Sequence, residues 1–94
     1  MASDAELKNH LDQEGRLILW PSRRELQLLA LDYLAGKLES GRIYSEKEIN
    51  VLLNRWHTFG DPALLRRELY ERGLLNRHKN GAEYWPTPNT KFVE

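Results

Sequence analysis

The stretch IYSEKEINVLLNRWHTFGDPALLRRELYERGLLNRHKNGAEYWP, residues 43–86, decides the fold. It is read first through its helix ends. Ser45 with Glu48 three residues on is a capping box, and Ile49, Leu52, Leu53 and Trp56 follow at helical spacing. A five-residue connection, His57 to Asp61, leads to Asp61-Pro62, a cap followed by proline at the first helical position. The helix this starts runs over Pro62–Arg72 and stops at Gly73, a residue suited to the left-handed C-terminal position. Leu75–Lys79 and Ala82–Pro86 flank Asn80-Gly81, the dipeptide of a two-residue hairpin turn in which both positions take positive φ. That loop pairs Lys79 with Ala82, His78 with Glu83, Arg77 with Tyr84 and Asn76 with Trp85.

Outward toward the N-terminus, Ile43–Tyr44 is a short extended piece placed to sit on the edge of the hairpin. Before it, Ser22 with Glu25 reads as another capping box. Leu26, Leu29, Ala30, Tyr33, Leu34 and Leu38 form a long helical stripe that Gly41 ends. Leu29, Leu34, Leu52 and Leu69 are the expected fully buried residues. Arg16–Trp20 reads as a short strand stopped by Pro21. Residues 3–12 read as a short amphipathic helix with Ser3 as its cap and Leu7 and Leu11 on one face, ended by Gly15. From Ser22 the order is helix, short strand, helix, turn, helix, hairpin. The expected class is α+β, a winged helix-turn-helix with the hairpin as wing. It occupies residues 15–86, between an extension at 1–14 and a tail at 87–94.

Several of these pieces together resemble a known family. Gly15-Arg-Leu-Ile-Leu-Trp-Pro21, Gly41-Arg-Ile-Tyr-Ser-Glu-Lys-Glu-Ile-Asn50, Asp61-Pro-Ala-Leu-Leu-Arg-Arg-Glu-Leu69, Leu75-Asn-Arg77 and Gly81-Ala-Glu-Tyr84 are similar to the bacterial domain of unknown function 2087. The resemblance covers about residues 15–85. It implies a domain that stands alone or follows a helix-turn-helix domain in bacterial regulators, with no catalytic residues to carry over.

Composition narrows the function classes. The 94 residues are 40% hydrophobic and 30% charged, with 14 basic and 14 acidic side chains and no cysteine. Zero net charge argues against a strongly cationic coat for nucleic acid. Missing cysteines remove disulfides, thiol chemistry and Cys-based zinc sites. The longest apolar runs are far shorter than a membrane helix needs, and the opening Met1-Ala-Ser-Asp-Ala-Glu6 lacks a signal-peptide pattern, so a cytoplasmic location is expected. Charge is uneven, however: residues 1–41 carry −2, 42–81 carry +3, and 82–94 carry −1.

No cluster supports catalysis. His10, His57 and His78 fall in three different elements without ligand spacing, and there is neither a glycine-rich phosphate loop nor a nucleophile elbow. Neither an enzyme, a cofactor nor a bound metal is expected. The positive segment instead suggests duplex DNA as partner. On the helix over Pro62–Arg72, Leu65 and Leu69 face inward while Ala63, Arg66, Arg67 and Tyr70 face outward. An arginine there can take guanine O6 and N7 together, and Arg55, with Lys79 and Asn80 of the wing, would add backbone contacts. The competing structural reading leaves Arg66 and Arg67 solvated, or pairs them with Glu71 and with Glu46 or Asn50 of the preceding helix. Arg77 is expected to stack on Tyr84 and reach Glu68. The alternative function is a protein-interaction or dimerisation module using the outer hairpin face, Asn76, His78, Glu83 and Trp85, with Trp85 the tryptophan expected to be exposed.

Overall fold

Two helices and the bend between them are set by local hydrogen bonds that the sequence announces. The computed structural model describes residues 4–88. Ser45 closes β1 (Tyr44–Ser45) and caps α3 (Glu46–Arg55) at once. Its Oγ accepts from the Glu48 N–H at 3.0 Å, and the Glu48 carboxylate accepts from the Ser45 N–H at 2.8 Å. Asp61 caps α4 (Pro62–Arg72) by accepting from the Leu64 N–H at 3.2 Å, with Pro62 where no donor is needed. Gly73 ends α4 with φ +85°; its N–H donates to the Tyr70 carbonyl and the Leu74 N–H to the Leu69 carbonyl. Those two bonds are a Schellman closure.

The chain then forms β2 (Leu75–Arg77) and β3 (Glu83–Pro86). The three strands make an antiparallel sheet in the order β1-β3-β2. Register follows the expected pairing, Asn76 with Trp85 and Arg77 with Tyr84, while Tyr44 lies opposite Tyr84 from the other side. β1 is one residue later than expected because Ser45, extended as a helix cap, also pairs with Glu83. The turn differs more. Asn80 keeps negative φ and only Gly81 is positive. The His78 carbonyl accepts from the Gly81 N–H, and Asn80 Oδ1 accepts from the Ala82 N–H at 2.9 Å. That side-chain bond replaces the expected two-residue turn with a loop over residues 79–82.

α2 (Arg24–Ala35) sends Leu26, Ala30, Leu31 and Leu34 into the core. It is shorter at both ends than its stripe suggests. Pro21 is buried just before it and the cap position falls at Arg23, which makes no side-chain capping bond, and Ser22 lies one residue too early to close the expected capping box. The helix closes at Gly36, not Gly41. Leu38 still reaches the core through two tight turns, in which the N–H groups of Lys37 and Leu38 donate to Leu34 and Ala35. Leu34 and Leu69 are fully buried as expected, but Leu29 and Leu52 are only half-buried. Leu31 and Leu53, their neighbours on the two helices, take the central places with Leu17, Ile49 and Leu65.

The N-terminal region departs most from expectation. α1 (Asp4–Lys8) is a short helix anchored by Leu7; the expected cap at Ser3 lies outside the described residues. Instead of a strand over Arg16–Trp20 there are two isolated bridges at Leu17, antiparallel to Leu11 and parallel to His57. The Leu17 N–H donates to the Trp56 carbonyl at 2.8 Å, and the Leu17 carbonyl accepts from the Thr58 N–H at 3.0 Å. The segment meets the α3–α4 connection, not a sheet edge, so pairing stops after one residue. Among the described residues no helix is long and apolar enough to cross a membrane.

Candidate functional site

The outward face of α4 follows from what the helix buries. Leu65 and Leu69 enter the core, which leaves Ala63, Arg67 and Tyr70 exposed on the other side. The two adjacent arginines are not equivalent. Arg66 is half-buried, and its Nη1 donates to the Asn50 Oδ1 of α3. This is one of the structural pairings that competed with a ligand contact. Arg67 is exposed and has no hydrogen-bond or ion-pair partner among the described residues.

The hairpin continues this face. The Arg77 guanidinium lies over the Tyr70 ring, 4.7 Å from its centroid. Hydrogen bonding to Tyr84, and then to Tyr70, holds its pKa above the ordinary arginine value. The expected reach to Glu68 is not made, because Arg24 of α2 takes that carboxylate at 3.1 Å. Arg77 therefore joins the exposed aromatic of α4 to β2, and Lys79 follows, exposed, in the loop. Asn80 has its side-chain oxygen engaged by Ala82, which leaves its amide N–H groups outward-capable donors. Arg55 stands apart from this set: it lines a groove on α3 with Arg42 and Lys47.

His57, which lies within the positive segment 42–81, is buried. Its Nδ1 lies 2.6 Å from the Leu53 carbonyl, and its Nε2 accepts from the Asp61 N–H at 2.8 Å. Since a carbonyl can only accept, this geometry places the ring proton on Nδ1. The ring packs edge-on against Phe59 at 4.6 Å. The histidine thus fixes the angle at which α4 leaves α3. Nothing in its spacing along the chain signals that role, because both of its partners are backbone groups.

On the outer hairpin face His78 and Glu83 are exposed and share a backbone bond at 2.9 Å. Asn76 is half-buried and donates to Thr87 Oγ1 at 2.8 Å. Trp85 is half-buried, as Trp20 and Trp56 are, and not the exposed tryptophan expected. Among the described residues no three His, Cys, Asp or Glu side chains converge as a metal site.

Comparison with known proteins gives a single match. A family model described as an uncharacterized protein conserved in bacteria, DUF2087, matches residues 16–86. No curated protein and no solved structure matches the chain.

Proposed function

The chain belongs to the bacterial family of domain of unknown function 2087, whose description assigns no activity, and from that premise we propose that it is a non-enzymatic winged helix-turn-helix domain that binds duplex DNA in transcription regulation. In this reading α4 is the helix presented to the major groove and the β2–β3 hairpin is the wing. The element order α2, β1, α3, α4, β2, β3, with β1 beside β3, supports the topology. The observation that carries the function is Arg77 over Tyr70. It ties the hairpin to the outward side of α4, where Arg67 is exposed, and Lys79 follows Arg77 in the loop.

Roles differ by residue. Arg67, free and exposed, reads a guanine edge. Arg66, held at one nitrogen by Asn50, has donors left for a phosphate. Lys79 meets phosphate from the wing. Zero net charge over the chain means that affinity rests on this local concentration of cations. The interaction-module alternative needs Asn76, His78, Glu83 and Trp85 available. The bond from Asn76 to Thr87 and the half-burial of Trp85 within its own chain count against it.

Fluorescence anisotropy on random duplex DNA across a salt series tests the proposal. Affinity should fall linearly on logarithmic axes, roughly 10³-fold or more from about 50 to 200 mM salt if six or more phosphates are neutralised, and proportionally less for fewer. Arg67→Ala should weaken binding about tenfold without lowering thermal stability. Absence of binding at the lowest salt, or binding indifferent to Arg67→Ala and Lys79→Ala together, would overturn the reading.

A further inference from the structure

The outer surface of α3 carries a feature that the DNA reading does not use. A groove of about 390 Å³ runs between α3 and the segment leading into β1, lined by Arg42, Tyr44, Lys47, Glu48, Val51, Leu52 and Arg55. Lys47, Val51 and Arg55 stand four residues apart, so they form one ridge along the helix. The two cations are about 12 Å apart along the axis, from a rise of about 1.5 Å per residue. Neither has a hydrogen-bond or ion-pair partner among the described residues. Val51 between them is 53% exposed, and Ile43 beside the groove is 59% exposed.

The opposite wall is electrostatically quiet. Arg42 packs over the Tyr44 ring at 4.6 Å and bonds Glu39 at 3.2 Å. It also lies 3.7 Å from Glu48, whose carboxylate is already committed to the Ser45 N–H. What remains unpaired is a cation–apolar–cation row. A phosphate backbone would satisfy the two cations but would leave Val51 facing polar oxygens, whereas protein–DNA interfaces are strongly polar. An amphipathic helix of opposite charge satisfies all three positions.

We propose that this groove docks an acidic amphipathic helix of a partner protein, one that presents carboxylates eight residues apart with an apolar side chain midway. Parallel ridges let the partner carboxylates meet Lys47 and Arg55 while its apolar residue covers Val51 and Leu52. No residue lining the groove belongs to α4, which bears Arg67, so the two sites share no side chain.

The test is an NMR titration of the isotope-labelled domain. The probe is a synthetic helical peptide with glutamates at positions i and i+8 and leucine at i+4. The expected result is shifts confined to residues 42–55, with affinity weakened about tenfold or more by Lys47→Glu plus Arg55→Glu. That charge-reversed variant should regain affinity for a peptide with lysines in place of the glutamates, which also shows it to be folded. Val51→Asp should weaken the acidic peptide and leave DNA affinity unchanged. Absence of shifts, shifts on α4, or indifference to the charge reversal would overturn the proposal. So would DNA affinity that falls with Val51→Asp, which would give the groove to nucleic acid. A concentration-dependent dimer abolished by Val51→Asp would give it to a second copy, with the same consequence.

Discussion

His57 does at one position what backbone ladders do elsewhere. It donates to the Leu53 carbonyl and accepts from the Asp61 N–H, so one ring ties the last turn of α3 to the residue that caps α4. Removing the ring strands the Asp61 N–H, at about 1–3 kcal/mol, whereas the Leu53 carbonyl keeps the Trp56 N–H. His57→Phe keeps most of the volume and the contact with Phe59 but neither bond. His57→Phe should therefore lower stability by about 1–3 kcal/mol, and His57→Ala by more because it also loses the ring's packing, read as a fall in urea midpoint at unchanged slope. A Phe variant as stable as the parent would show that the ring acts by packing alone. Arg77 makes a contrasting case at the same scale. The hairpin register predicts that it stacks on Tyr84, but the guanidinium lies over Tyr70 of α4, which the register does not bring beside it, and Glu68 is taken by Arg24, distant in sequence.

Elements whose ends are set by neighbouring residues were readable; elements whose limits are set by packing were not. Ser45 and Glu48, Asp61 and Pro62, and Gly73 each act within a turn of their own position, and all appear in the structure as the sequence implies. At α2, apolar residues occupy almost every side, so the periodicity alone does not choose between Leu29 and Leu31. Neighbouring helices make that choice. The Asn80-Gly81 turn failed for a local reason of a different kind, since the Asn80 side chain found a nearer backbone donor at Ala82 than the expected turn allows. Of the candidate site, the outward set on α4 was legible from helical geometry, but the binding of Arg66 by Asn50 was one of several open pairings. The caps give a quantitative check. Ser45→Ala should cost about 1 kcal/mol. Gly73→Ala should cost about 1–2 kcal/mol through backbone strain, because an added Cβ there meets nothing within 4 Å. The two ends are far enough apart for the losses in a double variant, measured by denaturant unfolding, to add within about 0.5 kcal/mol.

Over the whole molecule, opposite charges balance, and two carboxylates tie the fold to pH. The Arg16 backbone N–H, with its guanidinium, holds Asp12 below its ordinary value of 3.8, and the Ser45 N–H holds Glu48 below 4.5. Both groups are more acidic folded than unfolded, so their stabilisation is complete above those ordinary values and is lost as pH falls through the lower, folded ones. Asp12→Asn with Glu48→Gln should be less stable than the parent at about pH 7 and lose less on acidification to about pH 3, measured as urea midpoints. Equal losses in parent and variant would remove these two groups from the acid response. The bond from Leu17 to the α3–α4 connection has a consequence of another sort. It joins strands of chain some 40 residues apart, as the approach of Thr58 to Ile18 also does. Closing so long a loop carries an entropic toll before any packing repays it, growing as the logarithm of loop length. The two capped helices are neighbours in sequence and can meet locally, but the angle between them becomes final only when the first-made part of the chain returns to pin it. Making this domain therefore includes a rendezvous of distant parts of the chain, as the pairing of Tyr44 with Tyr84 also requires.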